Sequence, residues 1–175
     1  MKTCKVCKSK FEAKYSSLQL VCSAKCAYEY GRKQVEKKNK EAKKEAKEKL
    51  LTHKDYLKML QVVFNNYIRL RDKDKPCISC DKPLKDKYDA GHYFSVGGYP
   101  NVRFDEFNVW AQCVYCNQHK RGAIHEYTQG LIKRIGETEF NLLRERAYQM
   151  PLKLSILEIK EKIKYYKLKI KELKM

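Results

Sequence analysis

Long apolar runs are missing from this sequence. Nowhere do apolar residues approach the roughly eighteen in succession that a bilayer-spanning helix needs, which excludes a span of that kind. The opening Met1-Lys2-Thr3-Cys4 runs into a paired-cysteine pattern and lacks the apolar core of an export signal, so a reducing cytosol is the expected setting. Acidic residues are scarce, with 21 Asp and Glu against 39 Lys and Arg, a formal charge of +18. Core-forming residues are scarcer than the hydrophobic fraction of 43% suggests, because that fraction counts 13 Tyr and 8 Cys. A chain of 175 residues with so little Leu, Ile, Val and Phe has room for one modest domain, or one small domain with appendages.

The charge favours a polyanionic partner, although charge alone does not separate DNA from RNA or either from an anionic membrane. The eight cysteines fall into four closely spaced pairs, a metal-ligand pattern in a reducing compartment and not a disulfide framework. Cys77 and Cys80, then Cys113 and Cys116, are two CxxC pairs that clamp one tetrahedral zinc, since a tight turn aims both thiolates of a pair at one point. Cys4, Cys7, Cys22 and Cys26 form a second quartet around a segment with only Phe11, Tyr15 and Leu18 to bury, a small ribbon that needs metal to offset its ordering entropy. Each zinc tetrathiolate brings −2, and two of them still leave about +14.

In chain order, residues 1–30 read as an N-terminal zinc ribbon, with a helix starting at Ser23 that places Cys26 one turn inside. The ribbon is a structural button or a DNA-contacting finger. Residues 31–52 read as a basic helical arm: Arg32 to Leu51 has neither Gly nor Pro and no apolar stripe, and Glu36–Lys40 and Glu45–Lys49 have favourable spacing. That arm is a solvated face or a phosphate-tracking one. Residues 53–150 read as the zinc-braced domain. A helix over His53 to Arg71 carries Tyr56, Leu60, Val63, Phe64, Tyr67 and Ile68 on one stripe, with Asp55 in its first turn, and is expected to pack on the zinc domain. Tyr88 to Phe94 and Phe107 to Ala111 read as short strands, a turn of helix follows Cys116 as far as Arg121, and a longer helix extends over His125 to Ile135 with a hinge at Gly136. Residues 151–175 read as a basic amphipathic helix that docks on the domain, pairs with another copy or lies along DNA. The fold class is α+β.

The span from Cys77 to Gly122 reads "CxxC … DAGHY … GG.P..RF…N…QC..CN..K.G". It resembles an HNH nuclease domain, the ββα-metal fold, and more closely the phage NinG/Rap recombination endonuclease family. The resemblance is strong over roughly residues 55 to 136, and the N-terminal ribbon and basic arm fit the same layout. It implies a phage-encoded enzyme of the bacterial host cytoplasm that cuts branched double-stranded DNA, Holliday junctions and D-loops included. It also implies structural Zn²⁺ and a catalytic Mg²⁺ or Mn²⁺; a homodimer is one option on a symmetric junction, although the fold does not require one.

Carried onto this sequence, the resemblance makes His92 the general base, Asn108 the residue that fixes that base or its loop, and Asn117 a metal ligand on the helix after the second knuckle. Asp89, the carboxylate near His92, is the candidate for the hard-cation ligand, since Mg²⁺ prefers oxygen donors. The family arrangement puts an acidic ligand immediately before the histidine, where Gly91 stands here. A regular strand sends Asp89 and His92 to opposite faces, and a turn or bulge at Ala90-Gly91 is the backbone device that would unite them. Lys120 and Arg121 are read as phosphate contacts, and Arg103 as a contact to the scissile strand or a plain surface residue. His119 and His125 are alternative ligands, and Trp110 is core or a base-stacking platform. Two other readings compete with the branched-DNA endonuclease: a general HNH nicking enzyme, and a non-catalytic zinc-containing adaptor that binds DNA.

Overall fold

The computed structural model describes residues 1–151 and 153–175. It divides into two compact units, Met1–Leu51 and Thr52–Met175. The class is α+β, with two antiparallel hairpins, four long helices and two cysteine clusters among the described residues.

In the first unit, β1 (Lys2–Thr3) pairs with β2 (Lys10–Phe11), Lys2 opposite Phe11 and Thr3 opposite Lys10. Then α1 (Ala24–Lys49) starts at Ser23, whose hydroxyl accepts from the Cys26 amide at 3.3 Å, a cap that typically contributes ~1 kcal/mol. Cys26 is the one buried residue of α1, and every residue from Gly31 to Leu50 is exposed, as a helix with no apolar stripe requires. Its ion pairs include Arg32–Glu36 at 3.9 Å and Lys37–Glu41 at 4.0 Å, while among the described residues the expected Glu36–Lys40 and Glu45–Lys49 do not close. Exposed pairs of this kind contribute only a few tenths of a kcal/mol, so the exchange matters little to the helix. Tyr15 and Leu18, expected to help fill the ribbon, are 89% and 83% exposed, so apolar packing is not what holds this unit together.

The second unit opens with α2 (His53–Arg71). Thr52 accepts from the Asp55 amide at 3.3 Å while the Asp55 carboxylate accepts from the Thr52 amide at 3.0 Å, a full capping box. Its buried stripe of Tyr56, Leu60, Phe64, Tyr67 and Ile68 packs on two surfaces. One is the hairpin of β3 (Tyr88–His92) and β4 (Val109–Cys113), whose Tyr88 hydroxyl donates to the Arg69 carbonyl of α2 at 2.9 Å. The other is α4 (Ile156–Glu172), whose Tyr166 ring lies 5.0 Å from that of Phe64 and 5.1 Å from that of Tyr67. Docking is therefore the outcome for the C-terminal helix, and Ile159, Ile163 and Tyr166 are its buried residues.

Between the hairpin and α4, a π-helical turn over Tyr115–His119 leads through Arg121, Gly122 and Ala123, all at positive φ, into α3 (Ile124–Tyr148). Gly136, at φ 79 and ψ 161, breaks α3 where the hinge was expected. Tyr127, Leu131, Phe140 and Leu143 pack with Ile78, Phe94, Val102 and Trp110 in one core cluster. Gly130 is needed for this close approach, because a Cβ there would collide with the Ile78 carbonyl of the first knuckle. Trp110 belongs to this core, its indole N–H donating to the Phe107 carbonyl at 2.9 Å. The second strand starts two residues later than the sequence suggests, because the Asp105 carboxylate accepts from the Phe107 amide at 2.9 Å and closes a turn there.

Candidate functional site

Each cysteine quartet converges. The four sulfurs of Cys4, Cys7, Cys22 and Cys26 all lie within 4.8 Å of one another, and so do those of Cys77, Cys80, Cys113 and Cys116. Cys7–Cys22 is 3.4 Å, Cys22–Cys26 3.7 Å and Cys80–Cys113 3.9 Å between sulfurs. Four thiolates at about 2.3 Å from a tetrahedral zinc stand ~3.8 Å apart, whereas a disulfide brings two sulfurs to about 2.05 Å. Donor type, number and spacing fit zinc in both clusters. The Cys113 amide donates to Cys77 Sγ and the Cys116 amide to Cys113 Sγ, each at 3.4 Å, so backbone N–H groups share the thiolate charge.

Above the second cluster, the β3–β4 register runs one for one, from Tyr88 opposite Cys113 to His92 opposite Val109. That ladder contains no bulge at Ala90-Gly91. Side chains alternate along it, so Asp89 and Gly91 share one face while Tyr88, Ala90 and His92 share the other. The backbone device that would have united Asp89 with His92 is absent.

Asp89 is instead united with the knuckle. Its Oδ2 accepts from Asn117 Nδ2 at 2.8 Å and from Gln118 Nε2 at 2.8 Å. Two successive residues reach one oxygen because they sit on a π turn, closed by the Lys120 amide donating to the Tyr115 carbonyl at 2.9 Å. The wider turn rotates successive side chains apart by less than an α-helix does. Gly91 keeps this face open for Gln112, since a Cβ at Gly91 would collide with the Gln112 amide oxygen. Gln112 is buried and donates through Nε2 to Ser79 Oγ and to the Gly122 carbonyl, both at 2.7 Å, tying the strand to both knuckles.

His92 lies against α2. Its Nε2 is 3.2 Å from the Arg103 carbonyl oxygen and 3.5 Å from Gln61 Nε2. Burial holds the imidazole below its ordinary value near 6.5, while hydrogen bonding to the Arg103 and Ala90 carbonyls pulls it upward by less. His92 is therefore neutral at pH 7. A neutral imidazole donates to only one of these two carbonyls, and its other ring nitrogen holds the lone pair. Arg103 is a local clamp, half-buried, with its Nε donating to Gln61 Oε1 at 2.7 Å, and Gln61 in turn donates to Asn65 at 2.7 Å.

Asn108 is fully buried and spends its amide on the loop between the strands. Its Oδ1 accepts from the Phe94 amide at 2.8 Å, and its Nδ2 donates to the Phe94 and Val102 carbonyls at 3.1 and 2.9 Å. Of the two roles expected for it, holding the loop is the one this geometry serves. Lys120 pairs with Glu126 at 3.6 Å, and Arg121 is exposed at φ 50. His119 stacks on Tyr115 with centroids 5.9 Å apart, and His125 meets Gln129 one turn along α3 at 3.2 Å. Among the described residues neither histidine joins a metal-ligand cluster.

Three residues of this region escaped the sequence reading: Gln61, Gln118 and Asp72. Gln118 is flagged in the sequence only by following Asn117. Asp72, the residue just past α2, is fully buried and accepts from Arg71 at 2.7 and 2.9 Å, from Lys75 at 2.9 Å and from the Ala111 amide at 3.1 Å. It fastens α2 to β4 just ahead of the first knuckle.

The family model described as "Bacteriophage Lambda NinG protein" matches residues 1–175. The chain belongs to the NinG family. It is 36% identical over 151 residues to protein ninG of Escherichia phage 933W, covering 77% of this chain and 75% of that protein. Similarity is higher over a shorter stretch in two further ninG proteins. That of Salmonella phage P22 is 48% identical over 81 residues, covering 46% of this chain and 40% of the relative, and that of Escherichia phage lambda is 46% identical over 82 residues, covering 47% and 40%. No solved structure matches the chain. No helix among the described residues is long and apolar enough to cross a membrane.

Proposed function

We propose that this NinG-family chain is a metal-dependent endonuclease of the HNH, ββα-metal type that hydrolyses phosphodiester bonds in branched recombination intermediates. The observation that carries the reading is the Asp89–Asn117 contact of 2.8 Å, which sets a carboxylate beside an amide on the turn after a zinc-compatible knuckle. Family membership and the +18 charge support DNA as the partner. The preference for Holliday junctions and D-loops is taken from the likeness to NinG/Rap proteins.

Two structural zinc ions would hold the cysteine clusters closed. The oxygens of Asp89 and Asn117 fit a hard divalent cation, Mg²⁺ or Mn²⁺, and both lie at a solvent-accessible edge. Such a cation supplies charge neutralisation at the departing oxygen. The chain's own part is to aim and to accept a proton. His92, neutral and lowered in basicity by burial, accepts a proton from the attacking water through its unprotonated ring nitrogen. Arg103 and Gln61 hold that ring, and Asn108 holds the loop bearing Arg103. Lys120 and Arg121, which follow directly on the turn, are read as the contacts to backbone phosphates.

Incubating the zinc-loaded protein with matched linear, forked and four-way DNA, in Mg²⁺ or in EDTA, tests the reading. Expected is Mg²⁺-dependent cutting of branched DNA and little of linear DNA. Equal cutting of linear DNA makes the protein a general nicking enzyme, and tight binding without cutting in any condition makes it an adaptor.

A further inference from the structure

Trp110 is ringed by three cations that share one carboxylate. The Arg71 guanidinium lies 4.3 Å from its ring centroid, Lys75 Nζ 4.9 Å and the Arg134 guanidinium 5.1 Å. Asp72 pairs with Arg71 and with Lys75. Arg134 is left over. Its Nη2 donates to the Pro76 carbonyl at 2.6 Å, its Nη1 is buried without a partner, and among the described residues no carboxylate pairs with it. A guanidinium is a fork of N–H donors with no acceptor of its own, so a half-buried one that meets a single carbonyl is under-satisfied.

Arg134 lines a cleft of about 520 Å³ between the first knuckle and α3. The other charges of the lining cancel in pairs. Lys133 meets Asp81 at 3.2 Å, Glu126 meets Lys120 at 3.6 Å and Lys75 meets Asp72 at 2.9 Å. Among the described residues, Arg134 therefore supplies the one uncompensated charge of the cleft. Ser79, also in the lining, agrees with it: its Oγ accepts from Gln112 Nε2 at 2.7 Å, which leaves its own proton to donate. No acceptor for that proton stands among the described residues. Uncommitted donors and a single positive charge suit a monoanion rich in acceptors. A phosphodiester linkage is such a group.

We infer that this cleft holds a backbone phosphate of the bound DNA away from the cut, with Arg134 as its principal contact and Ser79 donating beside it. The inference rests on DNA being the partner in the proposed function. The cleft lies on the Asp89 side of the hairpin, because Trp110 stands across from Gly91, and Gln112, bonded to Ser79, stands across from Asp89. Glu126 joins its rim to Lys120, on the turn that carries Asn117. Its work is positional, since phosphate contacts fix the register of a protein on DNA without reading bases.

The test follows the Arg134 Nε–H resonance of the zinc-loaded full chain by nuclear magnetic resonance, assigned by its loss in Arg134→Lys. It is titrated with a linear duplex in the absence of Mg²⁺, and separately with inorganic phosphate. In parallel, duplex affinity is measured across a salt series for wild type, Arg134→Gln and Arg134→Lys, each checked for zinc content and urea midpoint. The resonance should move with both ligands. Arg134→Gln should give a log–log salt slope shallower by about 0.9, the loss of one phosphate contact, whereas Arg134→Lys keeps most of the slope because the charge remains. Should Arg134→Gln lose zinc or stability along with its Pro76 contact, the wild-type resonance decides alone. An unmoved resonance with duplex bound, or an unchanged slope in folded Arg134→Gln, overturns the site. Movement with inorganic phosphate but not with duplex overturns DNA as the source of the anion. Failure of the wild type to bind duplex at all overturns the DNA reading beneath it.

Discussion

Asp89 and His92 leave the same regular strand on opposite faces, Asp89 toward the amides of Asn117 and Gln118 and His92 toward Gln61 on α2. In the proposed reading the labour is divided across the hairpin, the candidate oxygen donors lying beside the zinc-compatible knuckle and the imidazole against the other layer of the domain. A change on one side of the strand should therefore leave the other side in place.

The cysteine clusters should each take one metal. Elemental analysis of protein purified without oxidation should give two zinc ions per chain. Stripping zinc with a chelator should unfold the first unit more completely than the second. Tyr15 and Leu18 of the first unit are exposed, whereas the second keeps a core around Tyr127 and Leu131. A value near one zinc per chain would remove metal from the N-terminal cluster.

Asp72 should be a large single contributor to the stability of the second unit. Its carboxyl is buried, and although desolvation alone would raise its pKa, hydrogen bonds and charges from Arg71 and Lys75 hold it below the ordinary range. Asp72→Ala leaves those cations without their partner, and breaking a buried pair in this way costs about 3–5 kcal/mol. Urea melts of zinc-loaded protein should show the loss. A change below about 1 kcal/mol would mean that Arg71 finds equal partners in the Glu106 and Val109 carbonyls it already reaches.

The acid limb of activity and stability should both bear the mark of His92. Burial depresses its folded pKa below 6.5, so the unfolded chain takes up a proton at a pH where the folded chain does not. Stability from this residue is thus complete above about pH 6.5 and falls as the pH drops below it, levelling off beneath the folded pKa. His92→Gln should flatten that part of the stability curve. The cleavage rate of the wild type should hold steady down through pH 6.5, because the base stays unprotonated there.

Much of the scaffold was legible because its signals are local. Thr52 and Asp55 mark the start of α2, the apolar spacing marks its length, and Gly136 marks the break in α3. The cysteine spacings announce both clusters. What was not legible depends on contacts distant in sequence. The stripe on α4 shows that it buries a face but not that Phe64 and Tyr67 cover it. Gln112 and Cys113 look like loop residues, yet they end β4, because Ser79 and the Gly122 carbonyl take both N–H bonds of the buried glutamine amide. Gln118 could be placed beside Asp89 only through the π turn, which no residue spacing predicts.

The central claim is that His92 and Asp89 do different chemical work on DNA. It is tested most directly by single-turnover cleavage of a four-way junction across a Mg²⁺ series, using wild type, His92→Ala and Asp89→Ala with zinc content and junction binding confirmed. His92→Ala should bind normally and cut on the order of 10²–10⁴-fold more slowly at every Mg²⁺ concentration, as loss of a positioned base requires. Asp89→Ala should need more Mg²⁺ and recover part of its rate when Mg²⁺ is in excess. Cleavage by folded, zinc-loaded His92→Ala at the wild-type rate, or an Asp89→Ala Mg²⁺ profile superimposable on that of the wild type, would contradict the account.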